Sequence, residues 1–408
     1  MKIILTITLL AANIFGQQSL DHYVKFGQEN NADVQSAFYL WKASQDEISV
    51  AKKLPNPMLS VGVFQESVET AVGPQEYKIG IMQKFPMFGK LGSASRAKSS
   101  QADALEQIYF QTLADVTAKI KSLYYDVYYL ERAIDITQQN IHLLENWEKV
   151  IQTKYQTAQA GHLDFIKTQI ELLKLQNDLK SLTTRKNPLL QEFRSVINDP
   201  SLVQIDHHDS LHVEWQELPK ASVFQMIREK NHTLLAAEYS VSSRKSVLQR
   251  AKLQYLPDFG LGVDYIGTGE KEGSPNSGKD PLLFKFSIDL PIWFGKNAKE
   301  ISAARYRKTA AENKLVSHQN RMIAAAENIL FKMDDARRKI ELYGNELIPK
   351  SRESLGASEK AYISDKADFL TLIDAQRRLL QFKLEYEKAI VSYLTHEAIL
   401  ESFLGIEE

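Results

Sequence analysis

The sequence contains two copies of one structural plan, and this repeat constrains the fold more than any other feature. The block LPNPMLSVGV at 54–63 returns as LPDFGLGV at 256–263, and FPMFGK at 85–90 returns as LPIWFGK at 290–296. A third set of four residues also recurs. Tyr155, Leu163, Ile166 and Gln169 of the first copy correspond to Tyr362, Leu370, Ile373 and Gln376 of the second. Three blocks that recur in one order at a period of roughly 200 residues indicate an internal duplication.

Each copy predicts one very long helix. The chain has only 18 glycines and 12 prolines in 408 residues, and neither occurs between Gly92 and Gly161. Apolar residues in that stretch alternate steps of three and four, which is the heptad seam of helix–helix packing. The seam consists of Leu113, Val116, Ile120, Leu123, Val127, Leu130, Ile134, Ile141 and Leu144. The second copy repeats the seam more weakly, and Gly344, Pro349 and Gly356 are expected to interrupt it.

A strand pair is predicted before each very long helix. Apolar residues alternate there with small or polar ones over about eight to ten residues, which suits a strand between lipid and a polar lumen. The apolar positions are Leu59, Val61, Val63, Tyr77, Ile79 and Ile81, then Phe259, Leu261, Val263, Tyr265, Phe284, Phe286, Ile288 and Leu290. The segments 69–75 and 267–281 carry turn-forming residues and charge, so we expect exposed loops. A soluble hairpin packed on helices would show a similar alternation, and the pattern leaves that alternative open.

These patterns give a domain plan. A single Lys precedes an apolar run that ends in small residues, so residues 1–16 are predicted to be a cleavable signal peptide. The first repeat is predicted over 17–200, an irregular connector over 201–218 and the second repeat over 219–408. The first repeat would comprise a helix, a strand pair near 57–86, a long helix over 89–157 and a return helix over 162–198. The second would comprise a helix, a strand pair near 258–291, a long helix over 296–343 and a return helix over 357–404.

Composition excludes several classes of function. The absence of cysteine excludes disulfides, thiolate metal clusters, cysteine catalysis and a lipid anchor on an N-terminal cysteine. Because 50 Lys+Arg balance 51 Asp+Glu, the chain has no global attraction for nucleic acid. Beyond the N-terminal run, no stretch approaches the roughly 18 apolar residues that a membrane helix needs. If the protein enters a membrane, strands must carry it.

Four strands per chain cannot form a membrane pore alone. Lipid offers no hydrogen bonds to a sheet edge, so only a closed barrel can span it. The smallest membrane barrels have about eight strands. Three copies of the chain would supply about twelve, and the heptad helices would continue the same cylinder as a helical barrel.

The blocks LPNPMLSVGVF, QKFPMFGKLG and YLPDFGLGVDY, together with the two-copy plan, closely resemble the TolC-type outer-membrane efflux proteins. The resemblance covers roughly residues 20 to 405. It implies a mostly α fold with β, in which long antiparallel coiled-coil helices form an α-barrel and four strands per chain contribute to a shared twelve-stranded transmembrane β-barrel. The segment QKFPMFGKL at 83–91 is most similar to the subgroup that serves heavy-metal cation pumps of the resistance-nodulation-division type.

The resemblance also implies partners and a location. The expected assembly is a homotrimer in the lipid bilayer of the outer membrane, with a long periplasmic extension that docks onto a periplasmic adaptor and, through it, an inner-membrane pump. The expected function is passive export of small solutes, with metal cations, drugs and a secreted protein left open as cargo. The alternative is a periplasmic or secreted coiled-coil structural or adaptor protein without a pore.

The resemblance places the narrow end of the tunnel at the helix turns. The matching tip positions are Tyr155, Ala158, Gly161, Tyr362, Asp365 and Ala367. The family usually has glycine where this chain has Ala158 and Asp365, and Ala367 stands where a gate arginine is frequent, so a latch through that arginine is not expected. Asp164 and Asp374 fall where the family places acidic gate or pore residues. Three symmetry-related carboxylates around a narrow axis would favour cations, and solvated helix acids are the alternative.

Other candidate sites are weaker. His207, His208 and His212 have a spacing that could bind a metal, but they fall in the irregular connector, which favours solvated loop histidines. Met58, Met82 and Met87 could contact a soft metal, but their position beside the strands favours core or lipid-facing packing. No phosphate-binding loop or catalytic arrangement is recognisable, so we predict no enzymatic activity, no cofactor and no metal site.

Overall fold

The computed structural model describes residues 20–157, 161–206, 211, 213–215 and 219–405, and it divides the chain into two compact units. The predicted signal peptide, Ala158 and the three connector histidines lie outside these residues. Within them, no helix combines the length and the apolar character that crossing a membrane would require.

The helices and strands alternate as the repeat predicts. The helices are α1 (Leu20–Asn30), α2 (Ala32–Lys52), α3 (Lys90–Gln156), α4 (His162–Ile197), α5 (Lys220–Lys230), α6 (His232–Leu253), α7 (Phe294–Leu342), α8 (Ile348–Ile363) and α9 (Phe369–Leu404), with a π-helical segment at Tyr343–Leu347. The strands are β1 (Met58–Thr70), β2 (Gly73–Phe85), β3 (Asp258–Thr268) and β4 (Leu282–Asp289).

An asparagine splits the first helix of each repeat, where the sequence predicts one helix. The side chain of Asn31 accepts a hydrogen bond from the backbone N–H of Val34, at 3.1 Å, and so caps α2. Asn231 does the same for α6 through the N–H of Leu234, also at 3.1 Å. Because a short polar side chain can satisfy the free N–H groups of a new helix, Asn at this position ends one helix and starts the next.

One unit, formed by 36–111 and 228–322, holds a four-stranded antiparallel sheet in the order β1-β2-β3-β4. The register places Leu59 opposite Ile81, Ile81 opposite Val263 and Val263 opposite Phe284. Directly paired residues share a face of the sheet, so this row and its alternate neighbours form one apolar face. Phe284 is 81% exposed and Leu59 is 68% exposed. The predicted alternation is confirmed, and its apolar side is not buried within this chain.

The opposite face of the sheet carries small and charged residues. Asp264 is fully buried between Lys78 and Lys285, with a carboxylate oxygen 2.5 Å from each ammonium group. Met58 lies opposite Met82 in the same register and on the same face as Gly262. The parity of the strands therefore places these two methionines on the polar side of the sheet, where Met82 is half-buried. The expected core or lipid-facing packing stays a prediction.

The turn between β1 and β2 is shorter than predicted. The strands extend to Thr70 and from Gly73, so the expected loop over 69–75 reduces to a tight turn. Gly73 has φ of 130°, a conformation that residues with a Cβ rarely adopt. The hydroxyl of Thr70 donates to the carbonyl of Gly73 at 2.6 Å and closes the turn.

The other unit, formed by 20–35 and the described residues of 112–227 and 323–405, packs around the heptad seam. Of the seam residues, Val116, Ile120, Leu123, Leu130, Ile141 and Leu144 are buried, which confirms the predicted packing face. Tyr23 of α1 and Phe193 of α4 are also buried, and their rings meet edge to face at 5.2 Å. α1, α3 and α4 thus share a core.

The second repeat differs from the predicted boundaries. Gly344, Pro349 and Gly356 do not interrupt helical structure, because a π-helical segment joins α7 to α8, and α8 contains both Pro349 and Gly356. A local π-segment is a common way to accommodate such an irregularity. A Cβ on Gly344 would come within 2.9 Å of the Tyr386 ring, so glycine allows α9 to approach closely. The single helix predicted over 357–404 is wrong, since α8 ends at Ile363 and α9 begins at Phe369.

Candidate functional site at the helix turns

The two turns predicted as the tip lie in the unit that contains the heptad seam. α3 ends at Gln156 and α4 begins at His162 after Gly161, which is extended and occupies the N-cap position. In the second repeat, Asp365 adopts a left-handed conformation with φ of 54°, which aspartate tolerates better than most residues. Asp368 then caps α9 by accepting the backbone N–H of Thr371 at 2.9 Å.

Lys154 connects the last turn of α3 to the turn of the second repeat. Its ammonium group donates to the carboxylate of Asp365 at 2.7 Å and to the carbonyl oxygen of Tyr362 at 3.1 Å. It also lies 4.9 Å from the centre of the Tyr362 ring, within cation–π range. The C-terminal end of a helix attracts cations because its last carbonyl groups are unpaired. One lysine therefore joins the ends of α3 and α8.

Tyr362 anchors this end of the unit in an apolar cluster. Its ring lies 5.5 Å from that of Phe369, and both are buried with Trp147, Leu372 and Ile373. Burial, reinforced by the Asp164 and Asp365 carboxylates, raises the pKa of Tyr362 to about 12. The phenol therefore stays neutral at physiological pH.

Asp374 belongs to an ion cluster on α9. Arg377 donates to the buried carboxylate of Glu171 on α4 at 2.6 Å. The same guanidinium group lies 3.7 Å from the carboxylate of Asp374, which is about half exposed. Asp374 therefore does not present an isolated negative charge, because it shares Arg377 with Glu171.

The structure brings together part of the predicted tip. Asp164 and Asp365 both act on Tyr362, and the Tyr155 ring lies 5.4 Å from His162. Ala367 is half-buried in the turn before α9 and carries no charge for a latch.

Sequence reasoning missed Lys154, Glu171 and Arg377. Lys154 directly precedes the recurring Tyr155, which is the one local signal that could have identified it.

No metal centre is evident in the described part of the chain. Among those residues, no group of three or more His, Asp or Glu side chains is arranged to hold a metal ion.

Long helices and a four-stranded sheet with an exposed apolar face are the two features that a class assignment has to explain. The chain belongs to the outer membrane efflux protein family, whose model matches residues 27–191 and 223–406. Proteins of this family are channels of the outer membrane, with a long helical part in the periplasm, and the chain is therefore an efflux channel and not an enzyme. The alternative of a coiled-coil protein without a pore is excluded.

One relative and two solved structures resemble the chain at low sequence identity. The chain is 17% identical over 378 residues to the cobalt-zinc-cadmium resistance protein CzcC of Cupriavidus metallidurans. The aligned stretch covers 91% of this chain and 86% of CzcC. A membrane protein from Pseudomonas aeruginosa superposes with a TM-score of 0.83 at 17% identity, over 95% of this chain and 90% of the other. The transmembrane channel CusC superposes with a TM-score of 0.83 at 13% identity, over 95% and 92% of the two chains.

Proposed function

We propose that the protein is the outer-membrane duct of a tripartite efflux system and acts as a homotrimer. In this proposal, a periplasmic adaptor docks at the helix turns, and an inner-membrane pump supplies the energy. The channel itself is passive, because export through it requires only a pore of suitable width and charge.

The open sheet is the observation that carries the trimer. β1 and β4 are the two edges of the sheet, and neither pairs with another strand of the described chain. An open edge in lipid leaves a row of backbone N–H and C=O groups without partners, which costs several kcal/mol for each group. Because four strands cannot close on themselves, neighbouring copies must pair with both edges. A closed ring of copies satisfies every edge, and the resemblance to the TolC-type proteins favours three copies with about twelve strands.

The exposed apolar face supports the same proposal. Val63, Phe284 and Phe286 are all more than 60% exposed although they lie on ordered strands. A contiguous apolar surface of this kind is rare on proteins surrounded by water and indicates contact with lipid or another subunit. The opposite face, with Lys78, Asp264 and Lys285, is suited to a water-filled lumen.

The first test is the size and conductance of the purified protein. In mild detergent, the protein mass should equal three chains, and insertion into a planar bilayer should produce discrete conductance steps. A mass of one chain together with the absence of conductance steps would contradict the proposal. Omitting the protein from the detergent buffer is the necessary control for steps produced by detergent.

The cargo follows from the pump, and we propose metal cations as one class of cargo. The support is the likeness to CzcC, whose name states cobalt, zinc and cadmium resistance. Deleting the gene should lower the tolerance of the host to these cations. Unchanged tolerance to all three cations, with lowered tolerance to organic dyes, would assign the channel to a drug pump instead.

The helix turns are the proposed gate and docking site. Lys154 and Asp365 hold the two turns together, and Tyr362 packs beneath them. Asp164 and Asp374 are the proposed acidic residues of the narrow end, and Asp374 contributes through its cluster with Arg377. Tyr155, Gly161 and Ala367 would complete the surface that the adaptor contacts, together with Ala158.

A further inference from the structure

The chain has two junctions at which a strand leads into a long helix, and both contain the same motif. The lysine of the motif makes different contacts at the two junctions. At the end of β2, Lys90 is almost fully buried, and its ammonium group donates to the carbonyl of Leu256 at 2.8 Å and to Asp258 at 2.7 Å. At the end of β4, the repeat counterpart Lys296 is 71% exposed, and its nearest carboxylate is that of Glu300 at 4.0 Å. The second lysine therefore lacks the acceptors that the first one has.

The repeat identifies the missing acceptors. Leu256 and Asp258 belong to the block LPDF, which leads into β3 and ends with the first two residues of that strand. β3 pairs with β2. The equivalent block LPNP supplies Leu54 and Asn56 and precedes β1. Both of these residues are exposed, as Lys296 is. β1 and β4 are the opposite edges of the sheet, so within one chain Lys296 is separated from this acceptor block by two strands.

We propose that Lys296 of one copy binds the carbonyl oxygen of Leu54 and the side chain of Asn56 of the neighbouring copy. The inference rests on the proposed trimer and assigns contacts to the boundary between neighbouring subunits. The motif around Lys296 is one residue longer than that around Lys90, and the flexible side chain of lysine can accommodate that difference. The lysine then forms at each subunit boundary the same junction that Lys90 forms inside the chain.

The same repeat fixes the register between β4 of one copy and β1 of the next at the subunit boundary. Within the chain, Ile81 of β2 lies opposite Val263 of β3. Aligning the prolines of the two motifs makes Phe286 the counterpart of Ile81 and Val61 the counterpart of Val263. Phe286 of one copy therefore lies opposite Val61 of the next.

The faces of the strands agree with this register. The register with Phe286 opposite Val61 also places Ile288 opposite Leu59 and Phe284 opposite Val63. Apolar residues therefore lie opposite apolar residues along the whole apolar face. A slip by one residue would bring Lys285 or Ser287 opposite Val61 and would mix the two faces, which sheets with one apolar face avoid. A slip by two residues would preserve the faces but would displace Lys296 from Asn56 by about 7 Å.

Disulfide trapping tests the register, and the absence of cysteine from the chain makes the result unambiguous. The pair Val61→Cys and Phe286→Cys should give covalently linked oligomers under mild oxidation, because directly opposed residues match disulfide geometry. The pair Val61→Cys and Phe284→Cys, displaced by two residues, should give at least about fivefold less product. The pair Ile81→Cys and Val263→Cys is the internal control and should give linked single chains.

The lysine contact is tested by a double-mutant cycle on the dissociation of the trimer. Lys296→Met should raise the constant for dissociation of the trimer into single chains about a thousandfold, because losing one charge-assisted hydrogen bond typically costs about tenfold and the trimer has three such contacts. Lys299→Met, on the same exposed helix turn, should not change it. Asn56→Asp copies the internal junction and should tighten the wild-type trimer. It should have no such effect in the Lys296→Met background.

The outcomes distinguish a failure of the proposed subunit-boundary contacts from a failure of the proposed trimer. A protein with the mass of one chain that produces no conductance steps would overturn both proposals. A trimer that cross-links equally or better through Phe284→Cys would overturn this register while the trimer stands. Equal dissociation constants for Lys296→Met and Lys299→Met would overturn the lysine contact.

Discussion

The ammonium group of Lys154 lies 2.7 Å from the carboxylate of Asp365 and joins the two repeats at their turns. The two residues are separated by 211 positions in the sequence. Lys154 is nearly buried, whereas Asp365 is 68% exposed. The lysine also holds the carbonyl oxygens of Tyr362 and Ile363, so its loss would release the end of α8 as well as the ion pair.

Replacing Lys154 should loosen the tip and increase spontaneous opening. For Lys154→Ala we expect at least a few-fold rise in time-averaged conductance in planar bilayers, because the half-exposed ion pair contributes up to about 1 kcal/mol per copy and the hydrogen bonds to two carbonyl oxygens are lost with it. Asp365→Asn should have a smaller effect, since the hydrogen bonds from Lys154 to the two carbonyl oxygens remain.

Lys149→Ala is the matched control, since Lys149 is an exposed lysine on the same helix. Its conductance should equal that of the wild-type channel. Equal behaviour of the Lys154 and Lys149 variants would show that the connection does not restrain the gate.

Asp374 should contribute to cation selectivity. Asp374→Ala removes one negative charge per copy and leaves Arg377 balanced by Glu171 alone, so the narrow end becomes less negative. In a salt gradient across a planar bilayer, the reversal potential should move toward that of a less cation-selective pore. Asp178→Ala, an exposed acid on α4, is the control. An unchanged reversal potential for Asp374→Ala would eliminate the acidic-ring hypothesis.

Arg377 should matter for stability because Glu171 is buried beneath it. Arg377→Gln leaves that carboxylate without its cation, and we expect a loss of about 2 kcal/mol in unfolding free energy. This is below the 3–5 kcal/mol of a fully buried pair, because about half of the Arg377 side chain is in water.

Chemical unfolding in detergent measures this loss, and Glu171→Gln provides the second arm of the cycle. The double variant Arg377→Gln/Glu171→Gln should recover part of the stability, since neither side chain then carries an unpaired charge. If the two single losses simply add in the double variant, Arg377 and Glu171 do not interact.

Sequence patterns predict the elements of this fold better than its site. The heptad positions such as Ile120 and Leu144 and the alternating residues such as Leu59 and Val263 specify their own faces, because periodicity is a local property. The duplication adds further information, since a weak pattern in one copy is supported by the other. That is why the order of helices and strands follows from the sequence.

The contacts at the site are non-local, and local patterns cannot identify them. The sequence places Asp365 at the tip and places Lys154 beside the recurring Tyr155, but nothing local in the sequence shows that these two residues pair with each other. Gly344 and Pro349 show the opposite problem, since both are breakers by propensity, yet packing against Tyr386 and a π-helical segment preserve the helical path. Tertiary packing overrides intrinsic propensity at such positions.

Glu397 on α9 should make stability depend on pH. Burial, reinforced by the neighbouring Glu401 carboxylate, raises the pKa of Glu397 from 4.5 to about 7, although Lys121, which lies 2.8 Å from Glu401, opposes the shift. The folded protein therefore binds this proton more tightly than the unfolded chain does. Its stabilising contribution is complete below about pH 4.5 and is lost as the pH rises through about 7.

Glu397→Gln should remove this dependence, because the amide resembles the protonated carboxyl group and does not titrate. Near pH 4.5 the variant and the wild-type protein should have similar unfolding free energies, and near pH 8 the variant should be the more stable of the two. Unfolding measured across this range in detergent gives the difference directly, with Glu353→Gln, an exposed residue of α8, as the control. A difference between Glu397→Gln and wild type that stays constant with pH would contradict the assignment, because only a group that titrates within the range can change it.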